Sequence, residues 1–263
     1  QLLMMAGYER YYQIARAFRD EDLRADRQPE HTQIDIEMSF VEEEDIQATV
    51  ETMMQRVFAE ALGVELRVPF ARLTYADAMR RYGSDKPDVR FGMEIADLTD
   101  VVGDTGFRVF TDVIAGGGVV RGLRAPGAAS FSRKDVDDLA AVAAPFGVRG
   151  VAPVWVEEGG IRSPVAKFLS EDVVKMIVER LGAETGDLVL LVADQEAVCA
   201  AGLGMLRLHL AERLGVPRSG WEFLWVVDFP MFEWDEKESR FKAQHHPFTR
   251  PRLDDPAELR ERP

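Results

Sequence analysis

The segment Tyr11–Phe40, YYQIARAFRDEDLRADRQPEHTQIDIEMSF, sets the fold of the first part of the chain. Apolar and polar residues alternate from Gln33 to Phe40, and Tyr11 to Phe18 also has strand character, so the segment predicts two β-strands. Paired antiparallel, they would offer one apolar face to a core and leave one polar face for another contact. The apolar face would consist of Tyr12, Ile14 and Phe18 from the first strand and Ile34, Ile36, Met38 and Phe40 from the second.

The connection between these strands, residues 20–31, is much longer than the usual hairpin loop of about two to five residues. Its acidic and basic residues nearly balance, and it adjoins Arg19 and the polar strand face of Gln33, Asp35 and Glu37. An arginine placed there can bind an anion while carboxylates position donors or a metal. The same composition is also typical of a solvated surface loop, so spacing alone leaves both interpretations open.

The composition indicates a soluble globular protein. The 263 residues suit one large domain or two modest ones, and 46% hydrophobic residues are too many for a disordered chain. No apolar run reaches the roughly 18–20 residues of a membrane span. The single cysteine, Cys199, excludes an internal disulfide and a cysteine-rich metal site and favours a cytoplasmic location. A net charge of −14 argues against a general nucleic-acid coat protein.

The pattern of elements changes after the turn-rich segment Tyr82–Asp88. Before it, period-3.6 apolar spacing predicts a helix over residues 42–62 that stops at Gly63. From about Glu94 to Val216, alternating strand and helix patterns are sufficient for a separate small α+β core. Within it we expect strands at 107–113, 151–156 and 188–193 and helices that begin near Ser132, Ser170 and Glu196; another strand follows at 223–229.

A second candidate site is Gln244–Phe248, which contains two of the four histidines. The residue before Pro247 favours an extended backbone, so His245 and His246 would point in opposite directions rather than chelate one metal. One could contact a ligand while the other is held by the structure, although an isolated histidine pair is more often structural. Cys199 lies on an apolar helix face, which favours packing over nucleophilic chemistry.

Five segments, in the same order as in the family, together resemble bacterial-type aspartyl-tRNA synthetases, which are class II aminoacyl-tRNA synthetases. They are FRDEDLRADRQPEHTQID at Phe18–Asp35, which resembles motif 2, YGSDKPD at Tyr82–Asp88, SPVAKFL at Ser163–Leu169, VDFP at Val227–Pro230 and HHPFT at His245–Thr249. The resemblance therefore spans nearly the whole chain. It implies an α+β fold: part of a class II antiparallel-sheet catalytic domain, residues 1–93 and 217–263, interrupted by a smaller α+β insert domain, residues 94–216, of a kind that also occurs in tRNA-dependent amidotransferases.

The chemistry implied by the resemblance has two steps. The carboxylate of L-aspartate attacks the α-phosphate of Mg²⁺-bound ATP to form aspartyl-adenylate, and the 3′ end of tRNA(Asp) then accepts the aspartyl group; whether tRNA(Asn) also serves is open. Arg19 is the implied catalytic residue. The implied ATP-binding residues are Arg19, Asp20, Glu21, Gln28 and His31, the implied aspartate-binding residues are Arg19 and His245, and Gln33, Asp35, Glu37 and His246 are further candidates. No metal site is expected within the chain, because the Mg²⁺ ligands of the family would lie outside it.

Departures from the family bear on the active site. The family usually has Phe at the position of His31, whose ring is expected to stack on adenine. The chain starts at Gln1 without an initiator Met, and it lacks the anticodon-binding barrel, motif 1 and motif 3. We therefore expect a piece of a longer cytoplasmic homodimer without a membrane partner, and no aminoacylation by this piece alone. The alternatives are a non-catalytic tRNA- or protein-binding module and, less favoured because of the large insert and the His-His pair, a class II enzyme for lysine or asparagine.

Overall fold

The structure is a computed structural model that describes residues 2–20, 22, 27–235, 238–244, 249 and 257–258. The chain divides into two compact units, Gln1–Phe70 and Ala71–Pro263, and each is treated separately below. Both combine helices with strands that pair mainly antiparallel, so the fold is α+β as predicted. Among the described residues, no helix is both long enough and apolar enough to cross a membrane.

The first unit contains the predicted hairpin and the helix that follows it. Its elements are α1 (Leu2–Met5), β1 (Arg10–Phe18), β2 (Glu30–Met38) and α2 (Glu43–Leu62). Strands β1 and β2 pair antiparallel, with Arg10 opposite Met38 and Phe18 opposite Glu30, which confirms the hairpin. Helix α2 ends at Gly63 with φ 65°, as predicted, because glycine adopts the left-handed backbone of a helix end at little cost.

The apolar face of the hairpin differs from the expectation. Tyr12, Ile14, Phe18 and Ile34 are 55–75% exposed, whereas the sequence predicted that they would face a core. Helix α2 contacts the end of β2, where the Thr49 hydroxyl lies 3.9 Å from the Met38 sulfur, and the segment that follows the helix, but these contacts leave the four side chains exposed. Gln55 donates to the Leu66 carbonyl at 3.0 Å, and Glu51 accepts from the Phe70 amide at 3.1 Å. Alternation predicted the two strands correctly, but the described elements of this unit leave the apolar face exposed to solvent.

The second unit begins with a short strand and helix and contains the larger sheet. Its first elements are β3 (Ala71–Thr74), α3 (Tyr75–Tyr82), β4 (Ile95–Asp97), α4 (Thr99–Val102), α5 (Arg108–Ala115), β5 (Val119–Ala125), α6 (Arg133–Ala143) and β6 (Ala152–Glu157). The others described are β7 (Gly160–Arg162), α7 (Glu171–Leu181), β8 (Leu188–Asp194), α8 (Glu196–Arg213), β9 (Leu224–Val227), β10 (Phe232–Asp235) and β11 (Arg240–Ala243).

Five strands form an antiparallel sheet in the order β4-β5-β8-β6-β7. Two apolar clusters share this sheet: one includes Leu139 of α6 and Leu203 of α8, and the other includes Phe110 of α5 and Ile177 of α7. The helix starts at Ser132 and Ser170 occur where predicted, and each serine hydroxyl accepts from a backbone amide of the first turn. The sheet and its helices lie within residues 95–213; the exact domain boundaries stay a prediction.

Residues 107–113, predicted to be a strand, are instead largely helical: α5 begins at Arg108, directly after Phe107. The β-branched residues of this segment suggested a strand, but Phe107, Phe110 and Ile114 follow the spacing of one helix face. The Phe107 and Phe110 rings meet edge to face at 4.8 Å, and Phe110 is 1% exposed. Burial of that aromatic pair outweighs the weaker local preference for a strand.

Outside the five-stranded sheet, this unit has two small strand pairs. Strands β3 and β9 are parallel, with Thr74 opposite Val227. Strands β10 and β11 are antiparallel, with Phe232 opposite Ala243. These pairs bring the start of α3 beside the segment that follows β9.

Candidate functional site

The polar face of the β1–β2 hairpin gathers four of the predicted site residues in one row. His31 lies opposite Ala17, Gln33 opposite Ala15, and Asp35 and Glu37 follow on the same strand. Side chains two residues apart on a strand share a face, so the four polar side chains stand side by side. The two alanines opposite are small, which leaves room in front of Gln33 and His31 for a ligand.

Arg19 lies at the open end of this row. Its backbone amide donates to the Pro29 carbonyl at 2.8 Å, which holds together the two chain segments just beyond the strands. Arg19 is two residues beyond Ala17, so it continues the alternation on the side of His31 and Gln33. Its side chain is exposed, as are those of Asp20 and Gln28. The predicted nucleotide residue Glu21 lies outside the described residues.

The two faces of the hairpin have different electrostatics. On the polar face the Gln13 amide donates to the Asp35 carboxylate at 3.4 Å. On the opposite face Arg16 pairs with Glu30 at 3.2 Å in an exposed ion pair. The polar face therefore combines a guanidinium at one end with carboxylates further along. Such a face can bind a phosphate or carboxylate through the guanidinium and an ammonium group through the carboxylates.

In the second unit, two of the family-like segments meet around Tyr75 at the start of α3. The Tyr75 ring lies 5.0 Å from the ring of Phe229, which belongs to the Val227–Pro230 segment. Burial raises the pKa of Tyr75, and the nearby carboxylates of Asp85 and Glu233 raise it further. Asp85 belongs to the Tyr82–Asp88 segment. The fold thus brings together segments that are about 150 residues apart in the sequence.

Gln244, which follows β11, binds residues near this cluster. Its side-chain amide donates to Glu233, and its backbone amide donates to the Met231 carbonyl at 3.0 Å. The predicted pair His245 and His246 comes directly after Gln244 but lies outside the described residues. The structure therefore leaves the prediction for these histidines as it was.

Two ion pairs involve the loop between α3 and β4. Arg81 binds Glu94 through two hydrogen bonds of 2.8 and 2.6 Å, which lower the pKa of that carboxyl. Arg90 binds Asp88 in the same manner at 2.9 and 2.6 Å and lowers its pKa. Sequence reasoning missed Tyr75 and the Arg81–Glu94 pair, because the fold brings their partners together.

Outside the hairpin and the Tyr75 cluster, the described residues offer few groups that could bind a metal ion or a nucleotide. Among them, no group of three or more His, Cys, Asp or Glu side chains could hold a metal ion. A cavity of about 580 Å³ lies between α5 and strands β6 and β8, with Phe107, Phe110 and Leu191 in its wall. Its lining is largely apolar apart from Asp112 and Arg149. Such a lining does not suit a triphosphate, which needs several donors.

The sequence is similar to known aspartate–tRNA ligases along nearly its whole length. A family profile described as tRNA synthetases class II (D, K and N) matches residues 1–262. The chain is 53% identical over 256 residues to the Aspartate--tRNA(Asp/Asn) ligase of Syntrophomonas wolfei, with 97% of the chain and 44% of that protein covered. It is 51% identical over 257 residues to the Aspartate--tRNA ligase of Clostridium perfringens, with 97% and 43% covered. The chain thus spans less than half the length of these relatives.

Proposed function

Since this chain belongs to the class II tRNA synthetases (D, K and N), we propose that it forms part of an aspartate–tRNA ligase. The relatives named above carry that activity in their names, and the name of one specifies tRNA(Asp/Asn). The observation that supports the proposal most strongly is Arg19 at the end of a polar strand face, within a chain that matches such enzymes over 97% of its length.

Arg19 acts on the α-phosphate of ATP in this proposal. When the carboxylate of aspartate attacks the α-phosphate, negative charge grows on the phosphate oxygens. An exposed guanidinium fixed at the hairpin end by the Arg19–Pro29 backbone hydrogen bond can donate to those oxygens. The role is electrostatic, because an arginine side chain stays protonated and neither accepts a proton nor attacks.

The neighbouring residues bind the two small substrates. His31 lies opposite Ala17, so its imidazole has space to stack on the adenine ring. Asp20, Glu21 and Gln28 in the connection contribute further ATP contacts. Gln33, Asp35 and Glu37 provide acceptors for the ammonium group of aspartate, and His245, with His246 as a further candidate, contacts the amino acid from the Gln244–Phe248 segment.

The complete enzyme would use Mg²⁺, a second copy of itself and tRNA as partners. Mg²⁺ accompanies ATP as part of the substrate and neutralises phosphate charge, while its protein ligands lie outside this chain. The complete enzyme is a cytoplasmic homodimer that transfers the aspartyl group to tRNA(Asp), with tRNA(Asn) as a second candidate acceptor. Residues 94–216 form the insert, and residues 1–93 and 217–263 belong to the catalytic domain. The 263 residues alone do not aminoacylate tRNA.

The test is Arg19→Ala in a protein of the relatives' length that contains this chain. Aspartate-dependent pyrophosphate exchange should fall by about a hundredfold to a thousandfold or more, because one donor to the transition-state charge is lost. Arg16→Ala is the matched control: Arg16 is an exposed arginine of β1, three residues before Arg19, but on the opposite face of the hairpin. Its exchange rate should stay near that of the wild type. Near-normal exchange by Arg19→Ala would contradict the assigned role.

The alternative is a non-catalytic tRNA- or protein-binding module. It predicts that wild-type protein of the same length gives no aspartate-dependent exchange but still binds tRNA. The two proposals therefore differ already in the wild-type measurement.

A further inference from the structure

A buried arginine on α8 holds the loop that connects α3 to β4. Arg207 lies in the second half of this helix and is 1% exposed. Its Nη2 atom lies 2.8–2.9 Å from the backbone carbonyl oxygens of Asp88, Phe91 and Gly92. Its Nε atom donates to the carbonyl of Met93 at 3.1 Å. One side chain thus binds the backbone of this loop at four points.

Two aromatic rings enclose the same guanidinium. Its Cζ atom lies 4.0 Å from the ring centre of Phe91 and 4.9 Å from that of Tyr82. Burial lowers the pKa of Arg207, which reflects the cost of removing the cation from water. A buried charge is tolerated only where dipoles and hydrogen bonds compensate for lost hydration, and here loop carbonyls and aromatic faces supply both. Lysine could not reproduce this arrangement, because its ammonium lacks the planar fork of donors.

The start of the loop is also fixed to α8. A Cβ atom on Gly83 would lie 2.0 Å from the Ala200 carbonyl oxygen, and one on Gly204 would lie 2.8 Å from the Gly83 carbonyl oxygen. The two backbones therefore touch, and only glycine fits on either side. The loop is thus held at its start and at its end, and Ser84–Pro87 lie between these two points. The carboxylate of Asp85 in this segment helps to raise the pKa of Tyr75. Lys86 in the same segment is exposed.

We propose that Arg207 is a positioning residue that fixes the Ser84–Asp88 turn so that Asp85 and Lys86 meet a small substrate of the adenylation reaction. This inference rests on the proposed function. The turn carries an anion and a cation side by side, which suits ATP or the amino acid. Arg207 lies in the predicted insert, residues 94–216, whereas the turn lies in the predicted catalytic part. In this proposal the insert contributes to substrate binding indirectly, because its longest helix, α8, holds the turn that contacts the substrate.

The first experiment measures order in the turn. Cys199 is buried, so Lys86→Cys provides one accessible thiol for a nitroxide spin label. Arg207→Lys should sharpen the label's spectrum at room temperature, because the carbonyl contacts that hold the loop are lost. Arg213→Lys is the matched control, since Arg213 is on the same helix and also lies over an aromatic ring, Phe131 at 4.3 Å. Its spectrum should match that of the labelled parent.

The second experiment measures substrate use in unlabelled protein of the relatives' length. In pyrophosphate exchange, Arg207→Lys should raise the KM of ATP or of aspartate by about tenfold, because a displaced turn weakens binding and alignment. A purely structural effect would reduce the amount of active enzyme and leave both KM values unchanged. Arg213→Lys should leave both KM values within about twofold of the wild type. If Arg207→Lys does not fold, Phe91→Leu loosens the same contact from the loop side.

The outcomes separate the inference from the proposed function. A mobile label together with a raised KM supports the inference. An immobile label in Arg207→Lys, or a mobile label with both KM values unchanged, overturns it. Absence of exchange in the wild-type protein would instead refute the proposed function, while the spin-label result would still report whether Arg207 holds the loop.

Discussion

At the residue scale, Cys199 shows how the fold sets the chemistry of a single side chain. Its thiol is fully buried on α8, and its sulfur lies 3.7–3.8 Å from the carbonyl oxygens of Val119, Val192 and Asp194. Burial raises the pKa of Cys199 to about 11 from its ordinary value of 9.0. The thiol is neutral at physiological pH, in agreement with the packing role that the sequence favoured over nucleophilic chemistry.

This raised pKa predicts slow thiol modification in the native chain. At pH 8 a disulfide reagent should modify Cys199 at least about a thousandfold more slowly than in denaturant, because reaction requires opening of the fold. The variant Lys86→Cys is the control, since its added thiol is exposed and should react at once. Prompt reaction of two thiols in that variant would contradict the burial of Cys199.

The same residue also affects stability at high pH. In the unfolded chain the thiol ionises near pH 9, whereas in the folded chain it stays neutral until about pH 11. The ionised form is favoured in the unfolded state, so the contribution of Cys199 is full below pH 9 and is lost as the pH rises from about 9 to 11. Cys199→Ala should therefore show a smaller loss of stability across this range than the wild type, as measured by denaturant unfolding.

At the element scale, the contact between α3 and α8 depends on two glycines that no periodicity identifies. Gly83 ends α3 with φ 68°, which the sequence could anticipate from its position after a helix. Its closeness to Ala200 and Gly204 could not be anticipated, because those residues lie more than a hundred positions away. The close backbone approach is what allows Arg207 to reach the loop carbonyls.

This close approach gives a prediction about glycine substitutions. Gly83→Ala should lower the free energy of unfolding by about 3–5 kcal/mol, because it combines a left-handed backbone with a steric clash. Gly182→Ala is the matched control: it also ends a helix with positive φ, at 56°, but its nearest Cβ neighbour is 3.9 Å away. That change should cost only about 1–2 kcal/mol. Denaturant titration distinguishes the two, and equal losses would contradict the clash.

At the scale of the whole molecule, the exposed apolar face of the hairpin is the main departure from the sequence pattern. Tyr12, Ile14, Phe18 and Ile34 form a patch of large side chains on one face, and such patches promote association. The chain spans less than half the length of its curated relatives, and its described elements leave this face uncovered within the first unit.

The patch predicts poor colloidal behaviour of the 263-residue chain. Ile14 and Ile34 are directly opposite each other, so changing both to Ser should reduce binding of an apolar fluorescent dye and reduce aggregation. The cost in unfolding free energy should be at most about 1 kcal/mol, the value of a cross-strand pair. Ile177→Ser, in the core at 1% exposure, should instead cost several kcal/mol. Unchanged dye binding in the hairpin variant would argue against the exposed patch.

The net charge of the whole chain also has to be reconciled with the proposed substrate. A charge of −14 argues against a protein that coats nucleic acid, yet the proposed substrate includes tRNA. Bulk charge governs non-specific attraction, whereas specific recognition of a nucleic acid can use local patches of positive charge. The charge therefore limits non-specific binding without excluding tRNA as a substrate.

The sequence by itself determined the local structure and the family. Alternation predicted the hairpin, helical spacing and capping residues predicted α2, α6 and α7, and the family-like segments led to the class II synthetases that the comparisons support. These features depend on neighbouring residues or on fixed motifs, which a sequence states directly. Residues 107–113 were misjudged because local strand preference conflicted with a helical aromatic pair.

Only the tertiary structure decided which distant groups meet. It placed Asp85, Phe229 and Glu233 around Tyr75, enclosed Arg207 among the carbonyls of the α3–β4 loop, and left the apolar hairpin face open within its unit. An arginine among the apolar residues of α8 was a signal that it had a buried partner, but the sequence could not name the partner. Contacts between residues far apart depend on how whole elements pack, and burial of apolar area drives that packing across elements rather than within any one segment.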